Sequence, residues 1–388
     1  MPTSLQKPLL PTHYSVWFDP PDDAGDEVLH FVSERRSLKL KGRSFREFHK
    51  RVIPMLNGEH SLEEIETATA DIFPADELRD ALQVLADQGI VVDATEQTVN
   101  TEVAERMAPQ INLFHDLAPG VPVQKRLEAA TVAVLGLSGA GAGVALALAA
   151  AGVGTVRCID SLNIGPSDVY LVPFTGMDSV GSNRAETIAG MVKSAAPQVN
   201  VVSDNRTLES EDDLRTVVEG ADMVACCLDA GQSNLIFKLN RVCLATDMRW
   251  ITCSLSGAEV IAGPAMHPGK GPCYLCYRMR TVASAGNPDD AFAYERYLDN
   301  RKRDDSSRRE NLVFGAGLAA NFIGMEIVKE LTGLAEPSLV GRILTVRLTD
   351  LAVEKHFVLR KPWCPACFEP QKGTKETKIK IHDEESAH

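Results

Sequence analysis

Features typical of secreted, membrane and nucleic-acid-binding proteins are missing from this chain of 388 residues. No basic run is long enough to neutralise a series of phosphates, and the net charge of −13 further disfavours binding to DNA or RNA. The N-terminal MPTSLQKPLLPTHYSVW has no charged start followed by a long apolar run, and the most apolar stretch, VALALAAAGVGTV, is too short for a bilayer. We therefore expect a cytoplasmic protein without a membrane span.

The composition is that of a folded protein, with 44% apolar and 24% charged residues. A chain of 388 residues fits about two domains. Its nine cysteines do not indicate a disulfide framework, because the cytosol keeps thiols reduced. Their spacing must therefore have another explanation.

Residues 1–94 are predicted to form a small α+β domain of winged-helix type. The β-type runs HYSVWF, LHFV and SLKLKG precede three helical segments and a return strand, IVVD. We expect Ser44 to cap the first helix and Ser61 with Glu64 to form a capping box on the second. DNA binding, the usual alternative for this pattern, is disfavoured because the third helix offers Arg79 among four acidic residues.

The phrase LKLKGRSFREFHKRVIPMLNGEHSLEEI and the order of elements resemble the leader-recognition domain of ribosomal-peptide tailoring systems. The resemblance implies that an extended leader peptide adds to the edge of the third strand. Leu38 and Leu40 alternate along that strand and are the candidate peptide-binding residues. The alternative is that both simply belong to the core.

The rest of the chain divides into three predicted segments: a connector at 95–125, a second domain at 126–370 and a disordered tail at 371–388. In the second domain the runs TVAVLGL, TVRCID, VNVVS, MVACCLD and RWITCSL alternate with helical segments. This alternation is typical of a Rossmann-like α/β fold, with a mostly parallel, doubly wound sheet. The charged insertion AGNPDDAFAYERYLDNRKRDDSSRRE is expected to be a loop.

A glycine-rich turn follows the first strand of that domain and opens an alanine-rich helix. Gly136, Gly139 and Gly141 lie at the position where backbone amides at a helix N-terminus can bind phosphate. Asp160 ends the next strand, where a nucleotide site needs a carboxylate for ribose hydroxyls. A strand-end capping role for Asp160 is the alternative.

Two C-x-x-C pairs, in PCYLCY and WCPACF, carry the clearest chemistry. Cys273, Cys276, Cys364 and Cys367 have the spacing of a tetrahedral four-thiolate Zn²⁺ site, which is structural because no coordination position stays open. Redox use of either pair is the alternative, although neither opens a βαβ unit. Five further cysteines are expected to be inert core residues: Cys158, Cys226, Cys227, Cys243 and Cys253.

Together, the glycine turn, AAGVGTVRCID, VGSNRAET, a strand-end aspartate and the cysteine pairs resemble the ThiF/MoeB family of adenylate-forming enzymes. The resemblance implies binding of ATP and Mg²⁺, adenylation of the C-terminal carboxylate of a small protein or peptide, and often a homodimer. Asp160 matches the family's ribose carboxylate and Asp229 its metal- or phosphate-proximal aspartate, whereas Ser138 replaces a glycine of the loop.

The differences from that family lie at the positions of its charged residues. Residues 168–172 replace its Asn-x-x-Arg-Gln stretch, so that Leu171 stands for an arginine, and Arg184 stands for the catalytic lysine. Arg106 and Gln110 lie at family positions in the upstream helix. Loss of a cation that stabilises transition-state charge typically costs about 3 kcal/mol or more. The sequence therefore argues against chemistry on ATP and Mg²⁺.

A recognition domain joined to a zinc-bearing ThiF-like domain with a depleted phosphate site resembles the partner proteins of YcaO-type, azoline-forming cyclodehydratases. The resemblance implies a protein that binds a precursor leader and presents the peptide to the YcaO enzyme. The alternative is an ATP-dependent enzyme that adenylates a peptide carboxylate, with Arg184 and Asp229 in catalytic roles. A general sulfur-carrier activating enzyme would leave the N-terminal domain unexplained.

Overall fold

The computed structural model describes residues 5–23, 25–96, 101–117, 120–172, 175–229, 231–300 and 312–368. The predicted tail at 371–388 lies outside these ranges. None of the helices in the described ranges has the length and apolar character needed to cross a membrane.

The N-terminal unit contains the predicted strands and helices in the predicted order. An antiparallel sheet of order β2-β3-β4 is joined by a separate pair, β1 with β5. The strands are β1 Pro8–Leu9, β2 Ser15–Asp19, β3 Glu27–Val32, β4 Ser37–Gly42 and β5 Val92–Asp93. The helices are α1 Phe45–Glu47, continued by a π-helical turn Phe48–Val52 and a 3-10 turn Ile53–Met55, α2 Leu62–Thr69 and α3 Ala75–Asp87.

One face of the small sheet forms a core with the helices. Leu29 and Phe31 of β3 are fully buried against Leu78, Leu82 and Leu85 of α3, as the helical periodicity predicts. The predicted capping box on α2 is present. The prediction that Ser44 caps α1 is wrong. Ser44 has a left-handed backbone (φ 66°), and its side chain makes no capping hydrogen bond.

The predicted connector contains two helices, α4 Thr101–His115 and α5 Gly120–Ala129, the second of which continues into the predicted second domain. Phe114 of α4 and Val123 and Leu127 of α5 are buried in the core of the second domain. The two helices also form a small buried cluster with each other. They therefore pack as part of the larger domain.

The second domain is built on an eight-stranded sheet of order β13-β12-β11-β10-β9-β6-β7-β8. From β10 to β8 the neighbouring strands are parallel, as predicted, whereas β11, β12 and β13 extend the sheet antiparallel. The strands are β6 Thr131–Leu135, β7 Thr155–Ile159, β8 Asn200–Asp204, β9 Met223–Cys226, β10 Trp250–Ser256, β11 Glu259–Met266, β12 Arg342–Arg347 and β13 Ala352–Phe357.

Helices cover this sheet. Close packing of α6 on α13 depends on Gly143, where a Cβ would lie 2.6 Å from the Cβ of Ala320. The helices are α6 Gly139–Ala150, α7 Pro166–Leu171, α8 Arg184–Ala195, α9 Glu211–Val218, α10 Ser233–Ala245, α11 Tyr274–Ala283, α12 Pro288–Asn300 and α13 Val313–Thr332.

The prediction of a loop for the charged insertion is wrong over α12. Asn287 accepts hydrogen bonds from the amides of Asp289 and Asp290 at the start of this helix. Glu295 in its middle forms two hydrogen bonds with Arg278 of α11, at 3.2 and 2.7 Å. A cap and a tertiary ion pair thus order a segment whose composition alone suggests a loop.

Candidate functional site

A cavity of about 410 Å³ opens at the carboxyl ends of β6, β9 and β10. It lies where the strand order reverses, since β7 pairs with one side of β6 and β9 with the other. Ligand sites of doubly wound α/β proteins occur at this position. The fold therefore brings the predicted glycine turn and both strand-end aspartates to one place.

The glycine turn is required by packing alone. Gly136 has a left-handed backbone (φ +86°), and a Cβ there would lie 2.7 Å from the carbonyl oxygen of Cys227. A Cβ at Gly141 would overlap the carbonyl oxygen of Gly136, and one at Gly139 would lie 2.9 Å from the Cβ of Ala316. Close packing therefore constrains these three positions, whatever the turn binds.

Asp160 is turned into the protein. Its carboxylate accepts hydrogen bonds from the amides of Leu137, at 2.8 Å, and Leu162, at 2.9 Å. Only 7% of its side chain is exposed, and burial raises the pKa of this carboxyl despite the nearby Arg184. Asp160 thus braces the glycine turn.

Arg184 begins α8 and is enclosed by three carboxyl groups. Its Nη2 donates to both carboxylate oxygens of Asp168, at 2.9 and 2.8 Å, and its Nε donates to the second oxygen at 3.1 Å. Its Nη1 lies 3.2 Å from Asp229 and 3.5 Å from Asp160. We call these four residues the carboxylate cluster.

The three carboxyl groups of the cluster neutralise the charge of Arg184. Burial disfavours the charged form of Arg184, but Asp229, Asp160 and Asp168 outweigh it and raise the pKa of this guanidinium. The Oδ1 of Asp229 also accepts a hydrogen bond of 2.6 Å from Ser138. Three carboxyl groups around one guanidinium leave no net positive charge with which to bind a phosphate.

The cation that lines the cavity itself is also paired. Arg278 donates two hydrogen bonds to Glu295 of α12 and one, at 3.2 Å, to Thr281. Among the described lining residues there is no lysine and no second arginine. The described residues therefore do not fit ATP with Mg²⁺, which needs cations facing the phosphates.

The other family positions do not supply the missing charge. Leu171, which stands for an arginine, lines the cavity with an apolar side chain. Arg106 and Gln110 of α4 face away from it, since Arg106 donates to the carbonyl oxygen of Ala195 and Gln110 to that of Ala151. Both residues fasten α4 to helix ends of the same chain.

The four cysteines predicted as metal ligands converge. Their sulfurs all lie within 4.8 Å of one another, and Cys273, Cys276 and Cys364 are buried. The sulfurs of Cys273 and Cys276 are 3.9 Å apart, those of Cys273 and Cys364 3.8 Å, and those of Cys276 and Cys367 3.6 Å. Zn–S bonds of about 2.3 Å place tetrahedral sulfurs about 3.8 Å apart. The cluster could therefore hold a metal ion such as zinc.

The local backbone prepares this arrangement. Cys273 is the N-cap of α11 and Cys276 lies in its first turn, while the amide of Lys361 donates to the sulfur of Cys276 at 3.3 Å. An amide hydrogen bond to a ligand sulfur orients it toward the metal. Four thiolates would fill the coordination sphere and tie the segment after β13 to α11.

The remaining cysteines are buried in the core, in agreement with their predicted inertness. Burial raises the pKa of the Cys158 and Cys226 thiols to about 12. Cys227 and Cys253 lie side by side with their sulfurs 3.6 Å apart, and their hydrogen bond and burial raise the pKa of Cys227. Such thiols are poor nucleophiles at neutral pH.

Leu38 and Leu40 lie on the inner face of the small sheet. Both are partly buried and pack against the N-terminal core. Within the described residues β4 pairs only with β3, so its outer edge is open. The edge predicted from the sequence exists, and the two leucines border it on the core side.

The protein is thus a Rossmann-like α/β protein with a four-cysteine cluster, as the sheet order, the glycine turn and the converging sulfurs show. It belongs to the ThiF family, whose sequence profile matches residues 107–366. The chain is similar to the protein HesA of Nostoc, with 27% identity over 252 residues, covering 64% of this chain and 88% of HesA. It is also similar to human SUMO-activating enzyme subunit 1, with 28% identity over 159 residues, covering 41% and 43% of the two chains.

The fold is shared with MccB of E. coli, the microcin C7 biosynthetic enzyme. In complex with N-formylated MccA, MccB gives a TM-score of 0.66 at 19% identity, covering 93% of this chain and 100% of MccB. In complex with ATP, it gives a TM-score of 0.65 at 19% identity with the same coverage. The similarity extends beyond the residues matched by the ThiF profile and includes much of the N-terminal unit.

Proposed function

We propose that this protein is the leader-binding partner of a YcaO-type, azoline-forming cyclodehydratase and does not itself activate a carboxylate. The observation that carries the proposal is the carboxylate cluster, in which the residue at the catalytic-lysine position is enclosed by three carboxyl groups. A cation bound in this way cannot meet the charge that develops on an α-phosphate. The site is then free to serve as a rigid support.

The N-terminal unit supports the binding half of the proposal. β4 presents an unpaired edge within the described residues, and a peptide strand can add to such an edge through main-chain hydrogen bonds. Leu38 and Leu40 line the core side of that edge and would contact alternate side chains of the peptide. The winged-helix description of this unit belongs to the same proposal.

The similarity to MccB supports a place in peptide maturation. MccB is described as a biosynthetic enzyme and has been crystallised with MccA. This chain shares that fold over most of its length, including much of the N-terminal unit. A protein of this fold that would bind a leader at β4, and whose described cavity residues include no unpaired cation, is suited to presenting a precursor peptide to another enzyme.

A structural zinc ion is part of the proposal. Cys273, Cys276, Cys364 and Cys367 would hold it, and it would supply only cross-linking, since four thiolates leave no position for water or substrate. The ion would fasten the end of the ThiF-family domain to α11 and keep the cavity wall rigid. The resemblance to the ThiF/MoeB family also leads us to propose a homodimer.

An ATP-dependent adenylating enzyme is the second candidate. Asp160 and Asp229 remain at the mouth of the glycine turn, and MccB has been crystallised with ATP. If a bound peptide released Arg184 from the carboxylate cluster, a cation would become available. That rearrangement would have to break three ion pairs in a site with little exposed surface.

One experiment separates the two candidates. The purified protein is mixed with its precursor peptide and MgATP, with and without the YcaO enzyme, and pyrophosphate, AMP, ADP and phosphate are measured. We expect peptide binding by fluorescence anisotropy, no nucleotide turnover by the protein alone, and faster cyclodehydration when both proteins are present. Peptide-triggered release of AMP by the protein alone would establish the adenylating enzyme instead.

A further inference from the structure

The segment from Arg35 to Arg46 has a charge pattern unlike the rest of the chain. It contains six basic residues and no acidic one, in a protein with a net charge of −13. The segment spans β4 and the turns on either side of it. The basic residues are Arg35, Arg36, Lys39, Lys41, Arg43 and Arg46. They are dispersed among other residues, so that they do not stand out as a run.

Strand geometry places the lysines of β4 on one face. Residues 37, 39 and 41 are exposed, whereas residues 38, 40 and 42 are partly buried toward the core side. Lys39 lies opposite His30 of β3, and His30 lies opposite Trp17 of β2, whose ring stacks on the histidine at 4.7 Å. We call this surface the outer face of the small sheet.

The cations at this edge differ in their pairing. Lys41 lies 3.0 Å from Asp22 and 3.5 Å from Asp26, and Arg43 lies 3.7 Å from Asp26. For Lys39, at the middle of the strand, no ion pair is present among the described residues. An exposed lysine in the middle of an open edge strand deters unselective pairing with other strands. It also favours a strand that carries the opposite charge.

We propose that the peptide strand captured by β4 carries an acidic residue between two apolar ones. Its carboxylate lies beside Lys39 on the outer face, and its apolar side chains lie beside Leu38 and Leu40 on the core side. The inference rests on the proposed leader binding and names the class of leader: an amphipathic segment with an acidic residue flanked by apolar residues. Directly opposite side chains in an added strand lie about 5 Å apart, which is within reach of a lysine–carboxylate pair.

A nucleic acid is the other polyanion that a basic surface could bind. The neighbouring α3 disfavours it, because the exposed residues of this helix include Asp76, Glu77, Asp80 and Asp87. Its arginine, Arg79, is paired with Glu66 at 2.7 Å. A duplex would place phosphates beside both elements, whereas a single peptide strand on β4 needs only the lysine-bearing edge.

The test is a selection from a library of short random peptides displayed on their messenger RNAs, carried out with the full-length chain. Three proteins are compared: the wild type, Lys39→Glu, and Lys125→Glu as a matched control at an exposed lysine of α5. We expect the wild type and the control to enrich peptides in which an Asp or Glu stands between two apolar residues. Such peptides should bind Lys39→Glu roughly fivefold to tenfold more weakly, with the difference shrinking at high salt.

The outcomes separate this inference from the proposed function. Enriched peptides without an acidic bias, or equal affinity for Lys39→Glu, would overturn the charge class and leave leader binding intact. Failure of all three proteins to enrich any peptide, together with no binding of the cognate precursor, would overturn leader binding itself. Binding of a labelled DNA duplex by the wild type, lost in Lys39→Glu, would also contradict the inference.

Discussion

The carboxylate cluster and the outer face of the small sheet differ in how far their cations are buried and paired. In the cluster, Arg184 is buried and its guanidinium is shared among three carboxylates. On the outer face, Lys39 is exposed and has no ion pair among the described residues. An enclosed cation stabilises the fold, and an exposed one remains available to a ligand. The charge of Arg184 is enclosed beside the glycine turn, whereas the charge of Lys39 is displayed on the strand edge.

The same difference predicts which substitutions will damage the fold. Removing a partner from a buried ion pair leaves an uncompensated charge in a region of low dielectric constant. Removing an exposed cation leaves the folded state nearly unchanged, because water already solvates it. The stability of the cluster and the ligand affinity of the strand edge should therefore vary independently.

The largest effect is expected when one of the four cysteines of the proposed zinc site is replaced. Cys364→Ser should reduce the bound zinc from one ion per chain to none, and lower the free energy of unfolding by more than about 5 kcal/mol. Elemental analysis and urea denaturation measure both quantities. Cys243→Ser, at a buried cysteine outside the cluster, is the control and should keep the metal. Unchanged metal content in Cys364→Ser would refute this ligand set.

Asp168→Ala should lower the free energy of unfolding by about 3 to 5 kcal/mol, because it removes the bidentate partner of Arg184. Urea denaturation at neutral pH measures the change. Lys39→Ala is the comparison and should stay within about 0.5 kcal/mol of the wild type. Similar losses for the two variants would remove the proposed difference between the enclosed and the displayed cation.

A buried histidine near the end of α4 predicts that the free energy of unfolding depends on pH. Burial lowers the pKa of His115 to about 4, and its Nδ1 accepts a hydrogen bond from the amide of Gly120 at 3.3 Å. Since the unfolded histidine titrates near 6.5, the unfolded state binds the proton first as the pH falls. Stability present above pH 6.5 is then lost toward pH 4, by about 3 kcal/mol.

Denaturation curves of the wild type and His115→Gln between pH 7 and 4 test this dependence. The variant should lack the part of the slope that belongs to this histidine. His60→Gln, at an exposed histidine of the N-terminal unit, should retain it. A slope that persists in full in His115→Gln would assign the acid sensitivity to other groups.

The smallest effect is expected from the carboxylate that braces the glycine turn. The amides of Leu137 and Leu162 bind different oxygens of the Asp160 carboxylate, so Asp160→Asn keeps an acceptor for only one of them, and it removes a charge whose pKa is already raised by burial. We expect a loss of about 1 to 2 kcal/mol in unfolding free energy, because one buried amide is left without an acceptor. A loss as large as that of Asp168→Ala would mean that Asp160 also has a main part in holding Arg184.

The sequence predicts the parallel half of the large sheet well, because each of its strands is a short apolar run followed by a helix. The antiparallel half, β11 to β13, was not predicted. β13 illustrates the reason, since five of its six residues are exposed and its pattern does not alternate. Strands at the end of a sheet bury little surface and leave a weak periodic signal.

The ligand set of the metal site could be predicted because cysteine spacing carries the chemistry directly. The carboxylate cluster could not, since Asp160, Asp168, Arg184 and Asp229 come from four separate loops or helix starts. The resemblance to the ThiF/MoeB family implies only that Arg184 stands at the position of the catalytic lysine. Only the fold shows that Asp168, at the asparagine position of the family, forms the bidentate pair that neutralises it.

The glycine turn shows that a glycine pattern can be retained for packing alone. Side chains at Gly136 and Gly141 would collide with neighbouring backbone atoms, so selection for a folded core is enough to retain both residues. Glycines at these positions therefore report the packing of the turn, whether or not a nucleotide binds there. The residues that distinguish the two proposed functions are the arginine beside the turn and the acids that surround it.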